Sequence, residues 1–146
     1  MSKISRYFIF LLSLLAIVLI ALINQRQPVN SIYVEHNPSA EKLAKLDVNN
    51  WFTWKKEPSE FVWQFPEVET IYVTKGEVLV TPDGSKQSVL IKKGDFVTFA
   101  AGLRCTWQVT QAFEKQVILA DTPLTSLYWR AVFKAQAVQR HFNALF

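Results

Sequence analysis

The feature that most constrains the fold is a series of short runs between Trp51 and Leu119, each rich in aromatic and β-branched residues. Such runs predict β-strands, because these side chains pack well on a pleated surface. All four glycines of the chain fall at the predicted turns between them. Strands spaced by about 8 to 12 residues predict a small barrel or sandwich, in which closure removes exposed sheet edges. The predicted strands are FTWK, EFVWQF, ETIYVT, EVLVT, QSVLI, DFVTF, CTWQV and QVILA.

The chain has 146 residues, which is enough for one such domain with attachments at both ends. Before the main series, SIYVEH predicts one more strand, and Ser39 predicts the N-cap of a short helix, AEKLAKL. We therefore divide the chain into an anchor and linker at 1–30, a β-domain at 31–120 and a C-terminal helix at 121–146.

The first segment contains an apolar run from Tyr7 to Ile23, interrupted only by Ser13. Its 17 residues reach the short end of the ~17 to 25 that span a bilayer as a helix. A cleaved signal peptide is the alternative, but its apolar core is usually about 7 to 15 residues long. Lys3 and Arg6 precede the run, so we expect a single-pass anchor with a cytoplasmic N-terminus and the β-domain outside. Cleavage would instead give a secreted form.

The net charge of +4 is divided unevenly along the chain. Residues 1–30 carry +3, residues 31–120 carry −1 and residues 121–146 carry +2. The β-domain therefore has no basic surface for phosphates, and we expect no nucleic-acid partner. The basic ends suit a membrane surface.

Residues 126–146 predict an amphipathic helix, with Thr125 or Ser126 as its N-cap. Its apolar stripe has four alternative partners: its own barrel, a second protomer in a homodimer, the membrane interface, or a partner membrane protein. The sequence leaves these alternatives open.

Two stretches, ETIYVTKGEVLVTPDG and IKKGDFVTFAAGLRCTWQV, resemble the two motifs of the cupin superfamily. More narrowly, the region from about Val34 to Gln116 is similar to the small cupins grouped with the (S)-ureidoglycine aminohydrolase cupin domain. The resemblance implies an all-β fold, a single cupin (jelly-roll) barrel. The residues outside it add the predicted N-terminal transmembrane helix and the C-terminal amphipathic helix.

The cupin pattern also implies a metal held by one glutamate and three histidines. Counting back from Gly76, the glutamate position falls on Glu69. The histidine positions carry other residues: Val62 and Gln64, or Trp63 and Phe65 under a shorter spacing, and then Cys105. Catalytic metal sites use at least three good protein donors, so we expect no metal and no other cofactor.

Glu69 and Cys105 remain the candidate catalytic residues, and the candidate ligand-binding residues are Gln64, Glu69, Cys105, Trp107 and Tyr72. For Cys105 the alternative is a small buried hydrophobic residue, the commoner state of a free cysteine. For the aromatic residues the alternative is core packing.

Two functional hypotheses follow. The first is a membrane-anchored cupin that acts as a non-catalytic small-ligand-binding or accessory module. The second is an enzyme resembling (S)-ureidoglycine aminohydrolase, which would act on a small polar nitrogen compound with Glu69 and Cys105 in its cavity and with a reduced or absent metal site.

Overall fold

The structure is a computed structural model that describes residues 3–23, 32–120 and 123–144. Within these residues the fold is mostly β, as predicted, with all strand pairs antiparallel. The described strands are β1 (Ile32–His36), β2 (Phe52–Lys56), β3 (Ser59–Gln64), β4 (Glu69–Pro82), β5 (Val89–Lys92), β6 (Asp95–Phe99) and β7 (Arg104–Leu119). They form one sheet in the order β1-β6-β4-β7-β2, while β3 also pairs with β7 and β5 with β4.

Strands β4 and β7 are longer than the sequence predicts, because each joins two predicted strands into one. The turn predicted at Lys75 and Gly76 is a β-bulge within β4, where the register against β7 shifts. The bulge changes the buried positions of β4 from odd to even numbers, which made one strand look like two. Gly76 has a φ of 75°, and an added Cβ would lie 2.3 Å from the carbonyl oxygen of Ala112. Only glycine fits this close approach.

The described residues also form three α-helices, α1 (Lys3–Ile23), α2 (Ala40–Lys45) and α3 (Pro123–Asn143), and a short 3-10 helix at Val48–Asn50. The predicted cap of α2 is confirmed, since the Lys42 amide donates a hydrogen bond to Ser39 Oγ at 3.1 Å. Helix α3 begins at Pro123, before the predicted cap at Thr125 or Ser126, because proline is well suited to the first helical position. Ser126 instead accepts a hydrogen bond from Arg130 Nε at 3.1 Å.

The side chains described in α1, from Tyr7 to Val18, are all exposed. In the part of the chain that the structure describes, no helix combines the length and apolarity needed to cross a membrane. The side chains of residues 19–23, which end the predicted span, lie outside the described ones, and so does the predicted linker at 24–30.

The chain divides into two compact units. One consists of Met1–Arg26 with Ala131–Phe146, and the other of Gln27–Arg130. In the first unit, Val132 and Phe133 of α3 are buried, whereas Val138 and Phe142 are exposed. The second unit contains the whole sheet.

The core of the sheet unit is built from the inward faces of β4, β6 and β7. Trp107 lies at its centre, with its ring centroid 5.5 Å from Phe99 and 6.1 Å from Phe113. Phe65 stacks on Phe99 at 4.6 Å. Aromatic rings therefore fill the middle of the domain.

Candidate functional site

A cavity of about 380 Å³ opens between strands β2, β3, β4 and β7. This volume suits a small organic molecule. Eight of the ten lining side chains are apolar or aromatic, and the other two are Glu69 and Lys115. The lining residues are Phe52, Trp54, Phe61, Trp63, Glu69, Trp107, Lys115, Val117, Ile118 and Leu119.

Glu69 and Lys115 form an ion pair on the inward face of the sheet. Lys115 is paired with Val73 in the register of β4 and β7, and its side chain extends along the sheet to Glu69. Its Nζ donates a hydrogen bond to Glu69 Oε1 at 2.5 Å, and the two side chains are only 7% and 9% exposed. A buried charge requires such a partner, because removing it from water is costly.

Two indole rings flank the ammonium group of Lys115. Its Nζ lies 4.9 Å from the ring centroid of Trp54 and 4.8 Å from that of Trp107. Both distances are within the range of cation–π attraction. Burial lowers the pKa of Lys115 from its usual value, and the charge of Glu69 opposes this lowering.

Cys105 lies beside the cavity but does not line it. It is fully buried, and Trp107 Nε1 donates a hydrogen bond to its Sγ at 3.2 Å. Burial raises the pKa of the thiol to about 12. The thiol is therefore protonated at neutral pH and is a weak nucleophile and metal ligand.

Of the other predicted ligand-binding residues, Trp107 lines the cavity, whereas Gln64 and Tyr72 do not. Neighbouring side chains of a strand point to opposite faces. Tyr72 is three residues along β4 from Glu69 and therefore faces away from it, opposite Gln116. Gln64 is opposite Arg104, and its Nε2 is buried without a hydrogen-bond partner among the described residues.

The pairing of β3 with β7 also distinguishes the two spacings considered for the family's histidine positions. Phe61 and Trp63 line the cavity, with Trp63 directly opposite Cys105. Val62 lies opposite Thr106, on the outer face. The shorter spacing is therefore the one that places side chains inward, and it puts Trp63 and Phe65 where the family pattern has histidines.

These residues do not fit a metal ion. The inward positions carry Trp63, Phe65 and a protonated Cys105, none of which is a good ligand. The remaining donor, Glu69, is already paired with the ammonium of Lys115. Within the described ranges, no group of three or more His, Cys, Asp or Glu side chains is arranged to hold a metal.

Lys115 is the main site residue that the sequence reasoning missed. The predicted strands ended at Val109 and resumed at Gln116, which placed Lys115 in a connection. The spacing of Lys115 could have identified it. Phe113, Lys115 and Val117 are two residues apart along one strand and therefore share a face, so the lysine occupies an inward position between two apolar residues.

The antiparallel sheet, its glycine-containing turns and the aromatic cavity fit a β-barrel of the cupin superfamily, and the family match confirms this class. More specifically, the chain belongs to the EutQ-like cupin domain family, which matches residues 43–116, just over half of its length. The cupin fold predicted from the two motifs is thereby confirmed.

Two solved structures are similar to the chain. A protein of the DUF861 family from Thermotoga maritima is 42% identical, over 61% of this chain and 99% of that one, with a TM-score of 0.59. The EutQ protein of Clostridium difficile is 15% identical, over 60% of this chain and 66% of that one, with a TM-score of 0.43. No curated protein matches the chain.

Proposed function

We propose that the barrel is a non-catalytic module that binds a small, uncharged and largely apolar molecule in the aromatic cavity. The observation that carries this proposal is that the cavity's charges cancel within one ion pair. Glu69 and Lys115 contribute one negative and one positive charge, and the other eight lining residues contribute none. A charged ligand would add a net charge to an apolar space, which is unfavourable without a further partner.

The aromatic walls favour a flat or ring-shaped ligand. Trp54, Phe61 and Trp107 lie close together, with centroid distances from Trp107 of 6.3 Å to Trp54 and 6.0 Å to Phe61. Trp63 is 43% exposed at the cavity, where a ligand would cover it. Aromatic surface that is open to solvent in the free protein contributes to affinity when a ligand removes it from water.

Three probes of similar size and different charge test this proposal: benzyl alcohol, benzoate and benzylamine. We expect benzyl alcohol to change the tryptophan fluorescence of the full chain saturably, and the two charged probes to bind at least about tenfold more weakly. Trp63→Ala should weaken benzyl alcohol binding. Val62→Ala is the matched control, because Val62 is the neighbouring residue on the opposite face of β3. Equal binding of all three probes, or no saturable change, would overturn the proposal.

The enzyme alternative required Glu69 and Cys105 together in one cavity. Cys105 is instead buried beside Trp107 and does not line the space. The cavity therefore does not present the free thiol that this aminohydrolase-like alternative assigned to Cys105.

We also propose that residues 7–23 anchor the domain in a membrane, with the N-terminus in the cytoplasm. The apolar sequence and the basic residues Lys3 and Arg6 support this. Replacing both Leu12 and Leu15 by arginine in the full chain should release it from membranes washed with alkaline carbonate, because charges at the middle of a span are costly. The same change at exposed Leu90 of β5 is the control. Retention of the Leu12/Leu15 variant on washed membranes would refute the anchor.

A further inference from the structure

Among the described side chains that line the cavity, Lys115 alone carries an amine. Ammonium groups of this kind are normally hydrated and unreactive, but this one lies among indole rings and is almost fully removed from water. A lysine in an apolar pocket is the usual setting for addition to carbonyl compounds, because the pocket favours the free amine.

Glu69 supplies the proton acceptor that this chemistry needs. Its Oε1 lies 2.5 Å from Nζ, within direct proton-transfer distance. The pair therefore combines a nucleophilic nitrogen with an acid–base group, and both face the same cavity.

We propose that Lys115 captures small, largely apolar aldehydes or ketones as a reversible imine within this cavity. This inference rests on the proposed binding function and names the class of ligand for the same site. It requires the carbonyl compound alone, with no oxidant, reductant or bound metal.

The step balances without a change of oxidation state. Lys115 transfers a proton to Glu69, and the free Nζ attacks the carbonyl carbon, forming a C–N bond while the carbonyl oxygen takes the proton from Glu69. The nitrogen of this addition product still carries two protons, and it gives one of them to Glu69. Glu69 passes that proton to the hydroxyl group, the C–O bond breaks and one water leaves. The product is a protonated imine beside an ionised Glu69.

The charges of the site are the same before and after this step. One positive nitrogen lies beside Glu69 and between the rings of Trp54 and Trp107 in both states. The contacts that stabilise the ammonium group therefore also stabilise the protonated imine. The lowered pKa of Lys115 agrees with this role, because it increases the fraction of free amine at neutral pH.

Benzaldehyde with sodium cyanoborohydride, which reduces a protonated imine to a stable amine, tests the proposal on the full chain at neutral pH. Peptide mapping by mass spectrometry then locates the attached benzyl groups. We expect Lys115 to be labelled several-fold faster than exposed Lys55 and Lys86, because the cavity holds benzaldehyde beside its nitrogen. Glu69→Gln leaves more of Lys115 as the free amine but removes the group that carries the protons of the addition. We expect the loss of proton transfer to dominate, so the labelling of Lys115 should slow while that of the two exposed lysines stays unchanged.

Lys115→Met alone would leave Glu69 buried without its partner, and this variant could fail to fold. The paired variant Glu69→Leu/Lys115→Met removes both charges, so it leaves no unpaired buried charge and should fold. It therefore serves as the variant that lacks the amine. It should lose the fast labelling and keep the slow labelling of the exposed lysines. Labelling of Lys115 no faster than that of Lys55 and Lys86 would overturn the proposal.

Benzyl alcohol, which lacks the carbonyl group, separates this proposal from the proposed function. If it binds and also protects Lys115 from benzaldehyde, both stand. If it binds but Lys115 is not labelled, the capture is wrong and the binding function remains. If it does not bind and Lys115 is not labelled, both fail.

Discussion

The Nζ of Lys115 lies 2.5 Å from Oε1 of Glu69, and both side chains are less than one-tenth exposed. Removing one member of a buried ion pair leaves the other charge without compensation, at a cost of about 3–5 kcal/mol in free energy of unfolding. We therefore expect Lys115→Met to lose about this much in urea unfolding, whereas Glu69→Leu/Lys115→Met should lose far less.

The exposed ion pair of Lys55 and Glu114 provides the control for this prediction. Lys55 is 71% exposed, so solvent screens its 2.9 Å contact with Glu114. Lys55→Met should change the free energy of unfolding much less than Lys115→Met. Two results would contradict the prediction: equal stability of the two single variants, or a paired variant as unstable as Lys115→Met. Either result would mean that the charges of Glu69 and Lys115 do not stabilise each other.

The sequence pointed to one half of this pair and not to the other. Glu69 was found because the cupin resemblance has a glutamate at its position. Lys115 has no counterpart in that pattern, and its inward orientation becomes visible only when β7 is taken as one strand from Arg104 to Leu119. The ion pair also depends on the register between β4 and β7, which no local pattern specifies.

The fold was more predictable than the site for a physical reason. Strand propensity and turn residues are local properties, and they located the strands and three of the four glycine turns. The exception is Gly76, where the same residue type produces a bulge in a continuous strand. Turn and bulge both use a glycine with positive φ, so the sequence alone does not distinguish them.

The thiol of Cys105 should react very slowly in the native protein. Its pKa of about 12, against an ordinary 9.0, lowers the fraction of thiolate at neutral pH by about a thousandfold. We expect a chromogenic disulfide reagent to react with the thiol rapidly in urea and hardly at all without it. Fast reaction of the native protein would show that the thiol is accessible and ionised.

The same raised pKa predicts how stability depends on alkaline pH. The unfolded chain loses the thiol proton from about pH 9, whereas the folded chain keeps it until about pH 12. The contribution of Cys105 is thus fully present below pH 9 and is lost as the pH rises from 9 to 12. Cys105→Ser removes this titration, so the difference in free energy of unfolding between wild type and variant should change over that range. A constant difference would contradict the raised pKa.

Gly102 should tolerate no larger residue, because Trp129 of α3 packs against it. Its φ is 88°, and an added Cβ would lie 2.4 Å from two carbons of the indole ring. Gly102→Ala should cost about 1–3 kcal/mol for the backbone conformation alone, with an additional loss from moving the ring. Gly84→Ala is the control, since Gly84 has a φ of 76° but no atom within 4 Å of an added Cβ.

A thermodynamic cycle isolates the contact between Gly102 and Trp129. In a Trp129→Ala background, Gly102→Ala should cost no more than Gly84→Ala does in the wild type, because the ring is absent. An unchanged cost in that background would mean that the contact with Trp129 contributes nothing.

The domain should lose stability in acid as Glu114 becomes protonated. The hydrogen bond from Lys55, followed by that from Thr74 Oγ1 at 3.1 Å, lowers the pKa of Glu114 below its usual 4.5. Its stabilising contribution is therefore present above pH 4.5 and is lost as the pH falls through the folded-state pKa. Urea unfolding between pH 6 and pH 3 should show a shallower decline for Lys55→Met than for wild type. Lys86→Met, at an exposed position between β4 and β5, should keep the wild-type slope.

The purified protein should contain far less than one metal ion per chain, for reasons that lie in its donor atoms. Glu69 is paired with Lys115, Cys105 is a protonated thiol, and Trp63 faces inward at a position where the family pattern has a histidine. Zinc, iron or manganese requires at least three good protein donors in such a site. Metal content measured under reducing conditions should therefore be equally low in wild type, Glu69→Gln and Cys105→Ser. A near-stoichiometric metal that is lost in both variants would mean that these two side chains do bind it, and that the ion pair is displaced when it binds.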